Sequence, residues 1–97
     1  MIVSFHPEAR IEYFLELDYY TGIDFELGND VRKRIESATR EICEFPFSYR
    51  LRDNAYRRIN LARFPFYIPY VIIGETVFIL AIAHNSRHPD YWKERIS

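Results

Sequence analysis

The chain has 97 residues, 48% of them apolar and 18% aromatic, which is one domain with ample material for one modest core. No run of about eighteen apolar residues is present, so no stretch reads as a membrane-spanning helix. The net charge of −1 is unevenly spread: residues 1–49 hold five Lys/Arg against ten Asp/Glu (−5), and residues 50–97 hold eight against four (+4).

Met1–Phe5 (M-I-V-S-F) reads as a short strand. It lacks the basic region and long apolar stretch of a signal peptide, so the expected location is the cytoplasm. His6-Pro7-Glu8 then reads as a helix start, with Pro at the first helical position and an acid in the first turn. The helix is expected to run to about Tyr20, with Ala9, Tyr13, Leu17 and Tyr20 on one face. Ile11, Phe14 and Leu15 form a second apolar strip off that face. It either packs on the next helix or docks a partner chain.

Thr21 to Asp24 breaks the pattern, and a second helix runs from Phe25 or Gly28 to Glu44. Leu27, Val31, Ile35, Ala38, Ile42 and Phe45 recur at helical spacing and mark its buried face. Phe45-Pro46 ends it. Cys43 is the single cysteine, so no internal disulfide can form; with no partnering base in sight it reads as an ordinary helix residue. Residues 47–55 read as a polar connection.

From Tyr56 to Arg63 the chain alternates. Ile59 and Leu61 fall on one face, and Tyr56, Arg58, Asn60 and Ala62 on the other, which predicts a sheet with one buried and one wet side. Phe66–Ile73 is a nearly continuous apolar strand, and Pro69 inside it implies a bulge or an outward-facing backbone nitrogen. Gly74-Glu75 suits a type II′ hairpin turn. Thr76–Ala83 reads as one further strand near the sheet centre. Tyr91–Arg95 is a short tail of about one helical turn. The predicted class is α+β: an N-terminal strand, an antiparallel helix hairpin, then a three-stranded antiparallel meander, with both helices on one face.

R-R-I-N-L-A-R-F-P-F-Y-I-P-Y, followed by L-A-I-A-H-N-S-R-H-P-D-Y-W-K-E-R, resembles the core of the ParE/RelE toxin superfamily. These are toxin halves of type II toxin–antitoxin modules, often called plasmid stabilisation proteins. The order and spacing of the motifs carry the resemblance, which covers essentially the whole chain. It implies a cytoplasmic toxin that forms a hetero-oligomer with a cognate antitoxin and needs no cofactor.

Two targets are implied. RelE-like members are ribosome-dependent messenger ribonucleases, in which 2′-OH attack on phosphate needs a base, cations for the developing charge and an acid. On that reading the set here is His84, Arg87, Tyr91 and Arg63. ParE-like members inhibit DNA gyrase by binding and need no catalytic set. The long acidic second helix ending E-F-P, the R-R-x-x-L-x-R-F-P strand and the H-x-x-R-x-P-x-Y-W tail resemble that branch more. Tyr67 stands where the ribonucleases keep an arginine, and a net charge of −1 suits RNA poorly. A third reading is a toxin fold that only binds its antitoxin. Residues expected to meet antitoxin or target are Arg57, Arg58, Arg63, Arg87, Tyr91 and Trp92 on the sheet half, with Ile11, Phe14 and Leu15 on the first helix. Acidic antitoxin residues are expected against Arg57 or Arg63. A metal site is not expected: His84 and His88 are four apart, but Pro89 and the preceding strand oppose the helix that would pair them, and no Cys or acidic cluster completes a ligand set.

Overall fold

In the computed structural model, which describes residues 1–96, Pro7 opens helix α1 (Pro7–Ile23) while the His6 side chain accepts the Glu8 N–H at 3.0 Å. The helix continues one turn past Tyr20, and only Asp24 separates it from α2 (Phe25–Glu44). Asp24 closes one helix and starts the next. Its backbone N–H reaches Tyr20 O at 3.0 Å, and its carboxylate accepts the Glu26 N–H at 2.8 Å. That dual capping lets the hairpin turn in a single extended residue. Gly28 permits the close approach that follows: a Cβ there would lie 2.1 Å from Thr21 Oγ1 and 2.8 Å from the Thr21 Cα.

Among the described residues five strands form one sheet: β1 (Ile2–Phe5), β2 (Arg57–Leu61), β3 (Phe66–Ile73), β4 (Thr76–Ile79) and β5 (Ala83–His84). The order is β1-β4-β3-β2, with β5 also on β3. β1 runs parallel to β4, a pairing not read from the sequence, and the remaining pairs are antiparallel. Both helices lie on one face. Ala9, Val31, Ile35, Ala38 and Ile42 pack with Ile59, Leu61, Phe66, Ile68, Tyr70, Val77 and Ile79. Val31, Ile35, Ala38 and Ile42 of the second stripe, and Ile59 and Leu61 of β2, therefore bury as their spacing predicts. Phe45, expected on that stripe, is the C-cap of α2 and is 55% exposed, and Tyr56, expected on the wet side of β2, is buried against Trp92. The β3–β4 turn has Gly74 at φ +59° with Glu75 outside the left-handed region, as type II′ requires.

Two expectations are corrected. Thr76–Ala83 is not one strand: Tyr70 pairs with Ile79 and Tyr67 with Ala83, so Leu80, Ala81 and Ile82 oppose only Ile68 and Pro69. The extra residue is a bulge. Pro69 explains its place, because Pro69 O accepts the Leu80 N–H at 2.9 Å and its missing N–H therefore faces the bulged chain rather than β2. The polar connection also carries structure. Arg52 and Tyr56 exchange backbone bonds around Asp53 and Asn54, both at positive φ, a conformation these residue types tolerate. The tail forms a 3-10 turn over Lys93–Ile96.

Candidate functional site

The bulge creates a backbone problem at an open edge. β1 ends opposite Ile79, so the chain after it has no strand on that side. A largely buried ion pair fills the gap. Glu12, on α1, accepts the Ile82 N–H at 3.1 Å, and Arg95, on the tail, donates to Leu80 O at 3.0 Å. The two side chains, 13% and 14% exposed, meet in a two-pronged pair with both N–O distances 3.1 Å. Such a fork is the strong form of a charge-assisted bond. The Tyr91 hydroxyl donates to the same carboxylate at 3.0 Å, and Arg87 approaches it at 3.5 Å. Both guanidinium groups lie over the Tyr91 ring, at 3.6 and 5.2 Å. Burial, then the Glu12 charge, holds the Tyr91 phenol far above its usual range. Tyr91 is thus a neutral donor fixed in a structural network, not a poised acid or base.

The sheet face away from the helices is only partly covered. Trp92 is fully buried there, its Nε1 donating to Tyr67 Oη at 2.8 Å, with Tyr56 edge-on at 4.7 Å. Tyr67 therefore anchors the tail. Beside it lies an open recess of about 530 Å³ lined by Arg58, Asn60, Tyr67, Asn85, Arg87 and Pro89. Arg58 stacks over the Tyr67 ring at 4.8 Å, and its buried Nε has no hydrogen-bond partner.

The other sequence candidates are dispersed. Arg57 Nε donates to Tyr49 O at 2.9 Å and its guanidinium covers Phe47. Arg63, at φ +82° in the β2–β3 turn, pairs with Asp30 of α2 at 3.1 Å. His84 sits edge-on to Phe66 on the helix-bearing side, where it lines a recess with Leu15, Glu16, Tyr19 and Tyr20. Burial raises the Glu16 carboxyl there, with the His84 charge opposing it. Each of the three histidines uses Nδ1 in the same local way, accepting the N–H two residues on, at Glu8, Ser86 and Asp90. Among the described residues no His, Cys, Asp or Glu group could hold a metal ion. Ile11, Phe14 and Leu15 face solvent, 51%, 50% and 61% exposed, and Tyr19 and Ile23 of the same helix are exposed too. Helix α1 is thus apolar on both sides.

Glu12 and Arg95 were not legible as site residues. The only signal was an acid set among the apolar positions Ile11, Tyr13 and Phe14.

A family model described as "ParE toxin of type II toxin-antitoxin system, parDE" matches residues 3–89. Among curated proteins no relative matches. A solved structure described as the chromosomal ParDE TA system from P. aeruginosa superposes with a TM-score of 0.63 at 18% identity, covering 87% of this chain and 95% of that one. That likeness concerns the fold.

Proposed function

Because the chain belongs to the ParE toxin family of type II toxin–antitoxin systems, we propose that it is a growth-inhibiting toxin, neutralised by a cognate antitoxin, that acts on DNA gyrase by binding. The antitoxin covers the exposed α1 strip of Ile11, Phe14, Leu15 and Tyr19. That strip is the observation that carries the reading. A helix already anchored through Ala9, Tyr13, Leu17 and Tyr20 has no folding need for a second row of large apolar side chains in water. Two-sided helices of this kind bury their second face against a partner.

Binding rather than cleavage is supported by how the basic residues are used. A ribonuclease would need His84, Arg87, Tyr91 and Arg63 around one phosphate. Here Tyr91 is committed to Glu12, Arg63 to Asp30, and His84 to the helix side of the sheet. No helix among the described residues is long and apolar enough to cross a membrane, and the proposed place of action is the cytoplasm. The module would serve plasmid or chromosome-segment stabilisation.

The test is co-expression of the tagged chain with the neighbouring reading frame. The chain alone should arrest growth. With its neighbour it should be harmless and co-purify as a hetero-oligomer. A chain that is harmless and monomeric under both conditions would overturn the toxin reading.

A further inference from the structure

Arg57, Arg63 and Arg87 each reach an oxygen acceptor: Tyr49 O, Asp30 and Glu12. Arg58 differs. It is half-buried, stacked on Tyr67, with a buried Nε that bonds to nothing and no acidic neighbour within ion-pair distance among the described residues. Taking a guanidinium partly out of water without a counter-charge is unfavourable. The recess it lines has a second cation, Arg87, and two neutral amides, Asn60 and Asn85, but among the described residues no carboxylate. Arg87 itself is 54% exposed, with a long 3.5 Å approach to Glu12 and a stack on the Tyr91 ring, so the donor edge of its guanidinium can turn to a better acceptor. Two flat guanidinium forks backed by tyrosine rings match a carboxylate in shape and charge.

The recess also has a direction of approach. Consecutive residues His84 and Asn85 line two different recesses: His84 the one beside Leu15 and Tyr19 of the exposed α1 strip, Asn85 the one beneath Arg58. A chain lying along the strip reaches the open sheet face by crossing this corner.

We propose that the Arg58–Arg87 recess is an acceptor subsite for an acidic side chain of the antitoxin, presented by an extended segment that continues from the α1 strip across the His84–Asn85 corner. The inference rests on the antitoxin reading above. It moves the expected acidic contact from Arg57 and Arg63, which are already engaged within the chain, to Arg58 and Arg87.

Trp92 reports on the site. It is the chain's single tryptophan, and its indole N–H is bonded to the Tyr67 hydroxyl next to the recess. The probe is capped tetraglutamate, titrated into the chain freed of antitoxin and followed by the indole N–H resonance. The expected result is a saturable shift, a Kd weakened about tenfold or more by Arg58→Gln, and a change under about twofold for Arg40→Gln, a charge control on the exposed side of α2. The purified toxin–antitoxin complex should give no shift, its recess being filled. If Arg58→Gln loses the folded indole resonance, Arg87→Gln carries the same tenfold expectation.

An unmoved resonance in the free chain, or one moved equally in both variants, overturns the proposal. So does tighter binding of tetra-adenylate at the same ionic strength, which would make the recess a nucleic-acid site. Undiminished tetraglutamate binding by the complex removes the antitoxin as the source of the carboxylate. The antitoxin reading fails separately, by absence of co-purification, whatever the peptide does.

Discussion

Replacing Glu12 with alanine removes one carboxylate and strands four groups. The Ile82 N–H and the Tyr91 hydroxyl lose their acceptor, and Arg95 and Arg87 lose their counter-charge. Were this an ordinary surface pair, the loss would be about 0–1 kcal/mol. The side chains of Glu12 and Arg95 are only 13% and 14% exposed, which places the pair near the buried limit, where removing one partner costs about 3–5 kcal/mol. Taking the low end, about 3 kcal/mol changes the folded-to-unfolded ratio by roughly 10²-fold. For a domain of this size it lowers Tm by about 12–24 °C. Glu12→Gln keeps an oxygen for the Ile82 N–H but loses the charge, and should fall between, at about 1–2 kcal/mol. Urea unfolding of the parent, Glu12→Ala, Arg95→Ala and the double variant gives the pairwise term. The double variant should be less damaged than the sum of the single losses by about 1.5 kcal/mol or more. A Glu12→Ala loss below about 1 kcal/mol, or strict additivity, would mean that the bulge is held by something other than this pair.

Gly28→Ala, which on an open helix would gain about 1 kcal/mol, should here destabilise by about 1–3 kcal/mol, because the added Cβ meets Thr21 backbone at 2.8 Å. A thermal melt showing stabilisation refutes the close-approach argument. Tyr70 donates to Pro46 O at 2.7 Å, and burial pushes its phenol up to about 12. A group whose pKa is raised by folding supplies stability that is complete below its unfolded pKa and is lost as pH rises toward the folded one. Stability should therefore fall from about pH 10 to pH 12, Tyr70 contributing about 1.4 kcal/mol per pH unit. Tyr70→Phe should cost about 1–2 kcal/mol at neutral pH with a difference from the parent that shrinks above pH 10; a constant difference in pH-dependent urea unfolding contradicts the assignment. Ile11→Glu and Leu15→Glu should leave the melting curve within about 0.5 kcal/mol of the parent yet abolish antitoxin co-purification, and retained co-purification would remove the α1 strip from the interface.

Periodicity made most of the fold legible. Val31, Ile35, Ala38 and Ile42 can share one helix face in only one way, and Ile59 and Leu61 can point to only one side of a strand. Pro69 pointed to a bulge or an outward-facing nitrogen, but not to which of these or to which strand, because an unpaired nitrogen can be accommodated by either neighbour. The parallel seat of β1 on β4 could not be read: four residues of strand carry no local signal of the partner about seventy positions away. The site was legible as a set of residue types and not as a geometry. Arg57, Arg58 and Arg63 look alike in sequence, yet one ties down a loop, one stacks on Tyr67 with its Nε unbonded and one pairs with α2. Glu12 was hidden because its role exists only when a bulge, a helix and the tail converge on it. Trp92, expected to meet antitoxin or target, is instead fully buried, because its hydrogen-bond partner, Tyr67, lies 25 residues away and gives no local signal.

Inhibition of gyrase by binding can be decided in one paired assay. Purified chain, freed of antitoxin and folded by its Trp92 indole resonance, is added in parallel to a gyrase supercoiling reaction and to a translation extract programmed with a reporter mRNA. Blocked supercoiling and an intact message are expected. Ribosome-dependent cuts in the message with normal supercoiling would contradict gyrase inhibition, and would mean that Arg87 and Tyr91 leave Glu12 to act on RNA. Silence in both reactions would equally contradict it and would leave a toxin fold that does no more than bind its antitoxin.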